Sequence, residues 1–359
     1  MKNTERIKRK TIYVIAVVVA VLVVVGIGIT VGYAAGSGPR QTGKDDTGTL
    51  NSSTAANAST EDAEAEHWQE GVITYNGKQY QYNTAIKTYL IMGIDKDGPV
   101  EPAEDGISGG QSDAMFLLIQ DTRNERMSII AINRNTMTDI DVYDADGNYV
   151  GRENRQICLQ HGYGDGMRTS CLQSVDAVSR LFYGIPISGY LALNLDAIPI
   201  LNDSVGGVEV TVLNDIENTA KHVTLQEGET LTLTGDQAYA YIRTRDIDEF
   251  DSATMRLERQ KQYIVAFLEK AKEQAKQDKG SILRMYEAAE DYMIESVDFV
   301  RLAENLTDYE FRESDLYTVP GEVFAGERYE EFYVDEDGLY QMIIDIFYEP
   351  VSNDDNERY

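Results

Sequence analysis

Tyr89-Leu90-Ile91-Met92-Gly93-Ile94-Asp95 is a short apolar run with aromatic and β-branched members that ends on an acid, and Ala114-Met115-Phe116-Leu117-Leu118-Ile119-Gln120 repeats the pattern. Apolar runs of this length, bounded by turn-forming residues, read as buried strands. Met127 to Ile132 is a third. The polar stretch Asp121 to Arg126 before it is short enough for a reversal between antiparallel neighbours. Beyond this point the period changes. Ser174 to Tyr183 carries Val175, Val178, Leu181 and Phe182 at helical spacing, and Gly184 stops it. Tyr190 to Leu195 returns to a strand, Asp196 to Val205 to a helix, Val208 to Leu213 to a strand and Gly235 to Tyr241 to a helix. This alternation predicts an α/β fold, an α/β/α sandwich on a central mixed sheet.

Working outward, the 359 residues with 42% hydrophobic content suffice for a proper core. The formal charge of −29 argues against a protein that coats nucleic acid, which draws on broad basic surface to release counterions. Lys2, Arg6, Lys8, Arg9 and Lys10 make residues 1–10 a basic tip, and a nearly uninterrupted apolar run from Ile12 to Val31 follows. Residues 11–35 therefore read as a single membrane anchor, with the tip cytoplasmic and the remainder extracytoplasmic by the positive-inside rule. A cleaved signal peptide is the competing reading, and Ala34-Ala35-Gly36 suits it. Residues 36–67 are Gly, Ser, Thr, Asn, Ala and acids, a flexible linker. One globular domain is expected over residues 68–350, and residues 351–359 form a frayed tail. The only cysteines, Cys158 and Cys171, lie in the exported part, where a disulfide can form and would stabilise the loop by about 3 kcal/mol. Two free thiols are the alternative, and neither spacing nor neighbours suggest a metal site.

Arg243, Arg245, Arg256 and Arg259 are crowded together in a chain with 61 acidic residues against 32 basic ones. Cations this concentrated imply an anionic ligand. On an extended segment Arg243 and Arg245 project from one side, and a helix from Arg256 to Gln277 gathers Arg256, Arg259 and Gln260 at its start. Guanidinium forks bind phosphate oxygens bidentately, and a helix N-terminus favours an anion. The competing reading is a solvated helix face. Glu258, Lys261 and Glu269 already supply one, while the Arg256 side continues through Tyr263 into Phe267, next to the stripe of Ile264, Phe267, Leu268 and Ala271. Asp95 closes the first strand and Asp113 opens the second, so pairing would bring both carboxylates to one sheet edge. Magnesium prefers a few carboxylates plus substrate phosphate oxygens. Alone, each Asp reads as a turn or cap residue. His161 sits among Gly162, Gly164 and Gly166, which favours a structural role over direct catalysis. Asp144-Ala145-Asp146-Gly147-Asn148 starts like a calcium loop but has Tyr149 at position six and Arg155 at position twelve, so a β-turn is the better account.

Gly93-Ile94-Asp95, Ser112-Asp113, Ile132-Asn133-Arg134-Asn135-Thr136, His161-Gly162-Tyr163-Gly164, and Leu233-Thr234-Gly235 leading into Tyr241-Ile242-Arg243-Thr244-Arg245 together resemble the LytR-CpsA-Psr family. Arg256-Leu257-Glu258-Arg259-Gln260 looks like that family's second arginine motif. The motifs are jointly specific, and the resemblance covers roughly Thr88 to Lys272. It implies a ligase that moves a glycopolymer of the teichoic acid or capsule type from an undecaprenyl diphosphate carrier to peptidoglycan, with magnesium at the diphosphate. By position Asp95 and Asp113 would bind the metal, and Arg134, Arg243, Arg245 and Arg256 the diphosphate, with Arg259 and Gln260 beside them. Asp95, Asp113 and Arg134 would be the catalytic set, and apolar residues between sheet and helices would take the prenyl chain. The family usually reads Pro-Arg-Asp-Thr where this chain has Asn133-Arg134-Asn135-Thr136, so an expected carboxylate is an amide. Asn135 cannot take a proton as a carboxylate can. Hydrolysis of a polyprenyl diphosphate is a second enzymatic reading, and a non-catalytic surface receptor for lipid diphosphate or wall polymer is a third.

Overall fold

The computed structural model describes residues 72–246, 248–278, 280–297 and 309–351. The tip, anchor and linker expected from the sequence, and the tail after Val351, lie outside the described residues. β1 (Val72–Tyr75) and β2 (Lys78–Tyr82) form a hairpin turned by Asn76 and Gly77, both at positive φ. That backbone matches the twist of a two-residue hairpin, and Asn-Gly supplies it at least strain. β3 (Ile86–Ile94), β4 (Ser112–Asp121) and β5 (Arg126–Ile132) then run as an antiparallel meander, as the three apolar runs predict. β3 and β4 are buried at nearly every position, the pattern of central strands covered on both faces.

β6 (Met137–Tyr143) and β7 (Tyr149–Gln156) form a second hairpin, followed by a short 3-10 turn, Ile157–Gly162. Helix α1 (Arg168–Leu181) begins before the predicted Ser174 and ends where Gly184, at positive φ, returns its N–H to the Ser179 carbonyl. β8 (Gly189–Asn194) pairs parallel with β3, which a helical crossover permits. α2 (Ala197–Ser204), β9 (Val208–Thr211), β10 (Ile216–Asn218), β11 (Val223–Leu225) and β12 (Thr230–Leu233) lead into α3 (Gly235–Arg243). α3 starts on a capping box in which Thr234 and Gln237 satisfy each other's backbone N–H. α4 (Ser252–Gln277) buries Leu257, Ile264, Phe267, Leu268 and Ala271 along one stripe, as its spacing predicts.

The C-terminal part completes the main sheet. After α5 (Ser281–Ala289), β13 (Met293–Glu295) and β14 (Leu316–Thr318) become the two edges of the main sheet. Its order is β13-β8-β3-β4-β5-β14, and β14 is parallel to β5. β15 (Gly321–Ala325) and β16 (Glu330–Val334) form a separate hairpin; α6 (Glu336–Phe347) and β17 (Tyr348–Pro350) follow, and β17 pairs with β2. The expected α/β architecture on a central mixed sheet is therefore present.

Candidate functional site

β4 runs antiparallel to β3 and β5, so the ends of β3 and β5 and the start of β4 share one sheet edge. There the register slips: Gly93 pairs with Ala114 but Ile94 pairs with Ser112, which leaves Asp113 as the extra residue of a bulge. A bulge bends its strand and re-aims a side chain. Asp113 is only 3% exposed, and neither carboxylate oxygen has a hydrogen-bond partner. It meets two guanidinium groups as charge instead. Arg134 Nη2 lies 3.0 Å from Oδ1 and Arg256 Nη1 lies 3.7 Å from Oδ2, while Arg256 Nη2 donates to the Asp113 carbonyl at 3.2 Å.

Each arginine is held by local chemistry. Arg134 sits in a turn closed by Asn133, whose carbonyl accepts the Thr136 N–H at 3.0 Å and whose Oδ1 accepts the Asn135 N–H at 2.9 Å. Arg134 Nη2 also donates to Gln111 Oε1 and lies 3.0 Å from Cys158 Sγ. Arg256 stands one turn inside α4, on the face that buries Tyr263 and Phe267. Arg245 Nη1 donates to Ser252 Oγ at 3.3 Å, at the first residue of that helix. Arg243, the last residue of α3, donates to Tyr239 Oη at 2.6 Å and stacks over its ring at 5.1 Å. Tyr239 Oη in turn reaches Asp97 Oδ1 at 3.4 Å, so Arg243 leans toward the loop after β3.

The cluster is short of negative charge. Burial pushes Arg256 well below the usual arginine range; Asp113 opposes this, and neighbouring Arg134 and Arg245 add to it. Burial and then Arg134 depress Arg245 as well. Arg134 is the exception: burial would depress it, but Asp113, Cys158 and Asp95 hold it above its ordinary value. Arg134 Nε, Arg245 Nε and Arg256 Nη1 are buried donors without hydrogen-bond partners. Desolvated cations with unused donors are the environment in which an anion with several oxygens gains most.

Asp95 follows β3 and accepts the Gln111 N–H. Burial, and then the charge of Asp113, push its carboxyl up to about 7. Two carboxylates close enough to repel, one of them with orphaned oxygens, suit a divalent cation. Among the described residues no group of three or more His, Cys, Asp or Glu could hold a metal, so other oxygens would have to complete the shell. Next to Asp95 opens a cavity of about 350 Å³ whose lining includes Lys96, Asp97, Glu104, Ser108 and Asn194.

A profile of the LytR_cpsA_psr family matches residues 47–342. The chain belongs to that family. Relatives of the family include a Bacillus mycoides protein named polyisoprenyl-teichoic acid–peptidoglycan teichoic acid transferase TagU, 30% identical over 159 residues, or 44% of each chain. The Halalkalibacterium halodurans protein of that name is 29% identical over 182 residues, 51% of this chain and 52% of its own. The chain thus matches about half the length of these curated relatives. Bacillus subtilis TagV has a similar fold, with a TM-score of 0.55 and 22% identity over 73% of this chain and 97% of its own. A Streptococcus agalactiae structure matches at TM-score 0.59 and 18% identity, over 76% and 95% of the two chains.

Several expectations for this LytR_cpsA_psr chain need correction. α4 begins at Ser252, so Arg256 is not at the helix N-terminus; the site draws on its side chain rather than on free N–H groups. Arg243 and Arg245 do not share an extended segment, because α3 runs through Arg243 and ends on Thr244. Arg259 and Gln260 find partners other than Asp113. Arg259 donates to the Thr244 carbonyl and to Asn214 Oδ1 at 3.2 Å, and Gln260 Nε2 donates to the Ile242 carbonyl at 3.2 Å. Both fasten the end of α3 to α4. Cys158 and Cys171 are free and buried rather than bridged. Their partners separate them: Cys158 faces Arg134, whereas Cys171 Sγ lies 3.6 Å from His161 Nε2. His161 is fully buried with Nδ1 at 3.1 Å from both the Gly109 and Gly110 carbonyls, the structural role its glycine neighbours suggested. Asp144 accepts the Asn148 N–H at 2.8 Å within a hairpin turn, in keeping with a β-turn there. Sequence reasoning missed Gln111 and Glu330, since neither lies in a motif and both reach the cluster only through the fold.

Proposed function

We propose that this chain is a membrane-anchored phosphotransferase that moves a glycopolymer from an isoprenoid diphosphate carrier onto peptidoglycan. The observation that carries this reading is the convergence of Arg134 and Arg256 on the single carboxylate of Asp113, with the charge of Arg245 close by and buried donors left over. A diphosphate supplies the missing negative charge and the oxygens for those donors. The names of the relatives support the polymer and the acceptor, and the basic tip with its apolar run supports the anchor.

In this reading Arg134, Arg245 and Arg256 hold the diphosphate, and Arg243 reaches it from the end of α3. Asp95 and Asp113 fit magnesium, because their mutual repulsion and the orphaned Asp113 oxygens are relieved by a cation. A bound magnesium ion would neutralise diphosphate charge and lower the barrier to phosphoryl transfer. The oxygen of the acceptor sugar hydroxyl bonds to the phosphorus next to the donor sugar, the bond from that phosphorus to the bridging oxygen breaks, and isoprenoid monophosphate leaves, the hydroxyl proton passing to the departing phosphate or to solvent. Such transfer needs mainly alignment and charge neutralisation, which fixed guanidinium groups provide without reorganisation. The polar cavity beside Asp95 gives room for part of a glycan.

The test is incubation of the purified full chain with magnesium and a lipid diphosphate-linked glycan, with and without peptidoglycan fragments. Polymer joined to the acceptor supports transfer. Free phosphorylated glycan at the same rate with or without acceptor indicates a hydrolase, and binding without turnover a receptor. Unchanged turnover in both Arg256→Ala and Asp113→Ala would reject the site.

A further inference from the structure

The β15–β16 hairpin lies outside the main sheet, yet one residue of it enters the site. Glu330 Oε2 accepts from Asn135 Nδ2 at 3.3 Å, and Oε1 accepts the Asp251 N–H. Asp251 is the N-cap of α4 at φ 64, and its side chain caps nothing there. The main chain of the hairpin is fastened to the same turn: Gln156 Nε2 donates to the Glu330 carbonyl at 2.6 Å and to Asn135 Oδ1 at 3.1 Å, and the Phe332 N–H donates to the Asn135 carbonyl at 2.9 Å. Glu330 is also one of the carboxylates whose charge acts on Arg245.

Asn135 occupies the place where a carboxylate was expected. A carboxylate at both 135 and 330 would set two like charges within hydrogen-bond distance, which one of them would have to relieve by taking a proton. With an amide at 135 the pair is complementary: Asn135 donates to Glu330 and accepts from Gln156. The local charge is kept, but it arrives from the hairpin instead of the turn.

We propose that Glu330 is a positioning residue of this site, supplying from the hairpin the carboxylate that position 135 lacks. Through it the turn bearing Arg134 is tied to the start of the helix bearing Arg256, where Arg245 donates to Ser252 Oγ. The inference rests on the reading of the cluster as a diphosphate site.

The experiment measures the dissociation constant of farnesyl diphosphate, as probe, for the full chain and for Glu330→Gln, Asn135→Asp and the double variant, with thermal unfolding of each. An amide at 330 can accept the Asp251 N–H but then opposes the Asn135 amide donor with a donor of its own. Glu330→Gln should therefore bind the probe at least about tenfold more weakly, the loss of one charge-assisted hydrogen bond. The sign is decisive, because removing a negative charge from an anion site tightens binding unless geometry is lost. Asn135→Asp should also weaken binding. The double variant restores one carboxylate and one amide with every donor matched, and should return to within about threefold of the original. Tighter or unchanged binding in Glu330→Gln, or no recovery in the double variant while it still unfolds cooperatively, overturns the role of Glu330. If the unaltered chain does not bind the probe, the diphosphate reading itself falls, and the inference with it.

Discussion

Arg256 and Arg259 stand one helical turn apart and are both buried, yet they do opposite work. Arg256 shares the Asp113 carboxylate with Arg134, whereas Arg259 donates to the Thr244 carbonyl and Asn214 and lies over the Tyr241 ring at 5.9 Å; each keeps one buried donor unused. Arg256→Ala should weaken farnesyl diphosphate binding by at least about 30-fold, since truncating one partner of a buried charge pair costs about 2–5 kcal/mol. Lysine at 256 should rescue little, because a point charge does not replace a planar fork. Arg259→Met should instead lower stability by about 1–3 kcal/mol, the cost of orphaning buried acceptors, and leave affinity within about threefold. Calorimetry on both variants separates the two roles, and equal loss of affinity would contradict the assignment. His161 gives a pH signature. Burial lowers its pKa from 6.5 to about 4, so the folded protein resists a proton that the unfolded chain accepts. Its stabilising contribution is complete above pH 6.5 and is lost as pH falls toward 4. The unfolding free energy should drop by about 1.4 kcal/mol per pH unit across that window from this group. A His161→Gln protein should lack that component in denaturant titrations, and an unchanged slope would count against a neutral buried imidazole.

At the scale of elements, the loop between β3 and β4 carries Asp95, while Asp113 stands at the start of β4. Gly110 lies at φ +83, and a Cβ there would stand 2.7 Å from Ile94 Cγ2 and 3.1 Å from Asp95 Oδ1. Gly110→Ala should therefore cost stability through both backbone strain and contact, on the order of 1–3 kcal/mol, and should displace Asp95. Gly98 is the control, because it is also at positive φ but a Cβ added there would meet nothing within 4 Å, so Gly98→Ala incurs the backbone strain alone. If both variants respond identically to magnesium in thermal unfolding, Gly110 does not set the position of Asp95. The bulge at Asp113 is the second such device, because without the slipped register residue 113 would continue the alternation of β4.

At the scale of the molecule, magnesium at saturating concentration should raise the unfolding temperature when diphosphate is present. About 2.7 kcal/mol is expected at a hundredfold excess over the dissociation constant. The shift should vanish in Asp113→Asn, and its absence from the unaltered protein would remove magnesium from the site. A chain ending at residue 308 should not fold cooperatively, since it exposes the β5 edge that β14 covers and the β2 edge that β17 covers, and loses Leu339, Ile343, Ile344 and Phe347 from the core. Circular dichroism melting checks this directly. Much of the architecture was legible in advance. Buried strands such as β3 and β4 announce themselves as continuous apolar runs, α4 by its stripe, and Asp95, Asp113 and the arginines by position around those elements, because local periodicity and side-chain type are properties of the chain itself. The sequence by itself thus determined the α/β class, the buried strands and helices that carry the charged groups, and the chemistry of those groups. Only the tertiary structure decided which of those groups meet. The bulge at Asp113, the engagement of Arg259 and Gln260 by the end of α3, the separation of the two thiols and the arrival of Glu330 from a hairpin almost two hundred residues beyond Asn135 all depend on register and long-range packing, which no local pattern encodes.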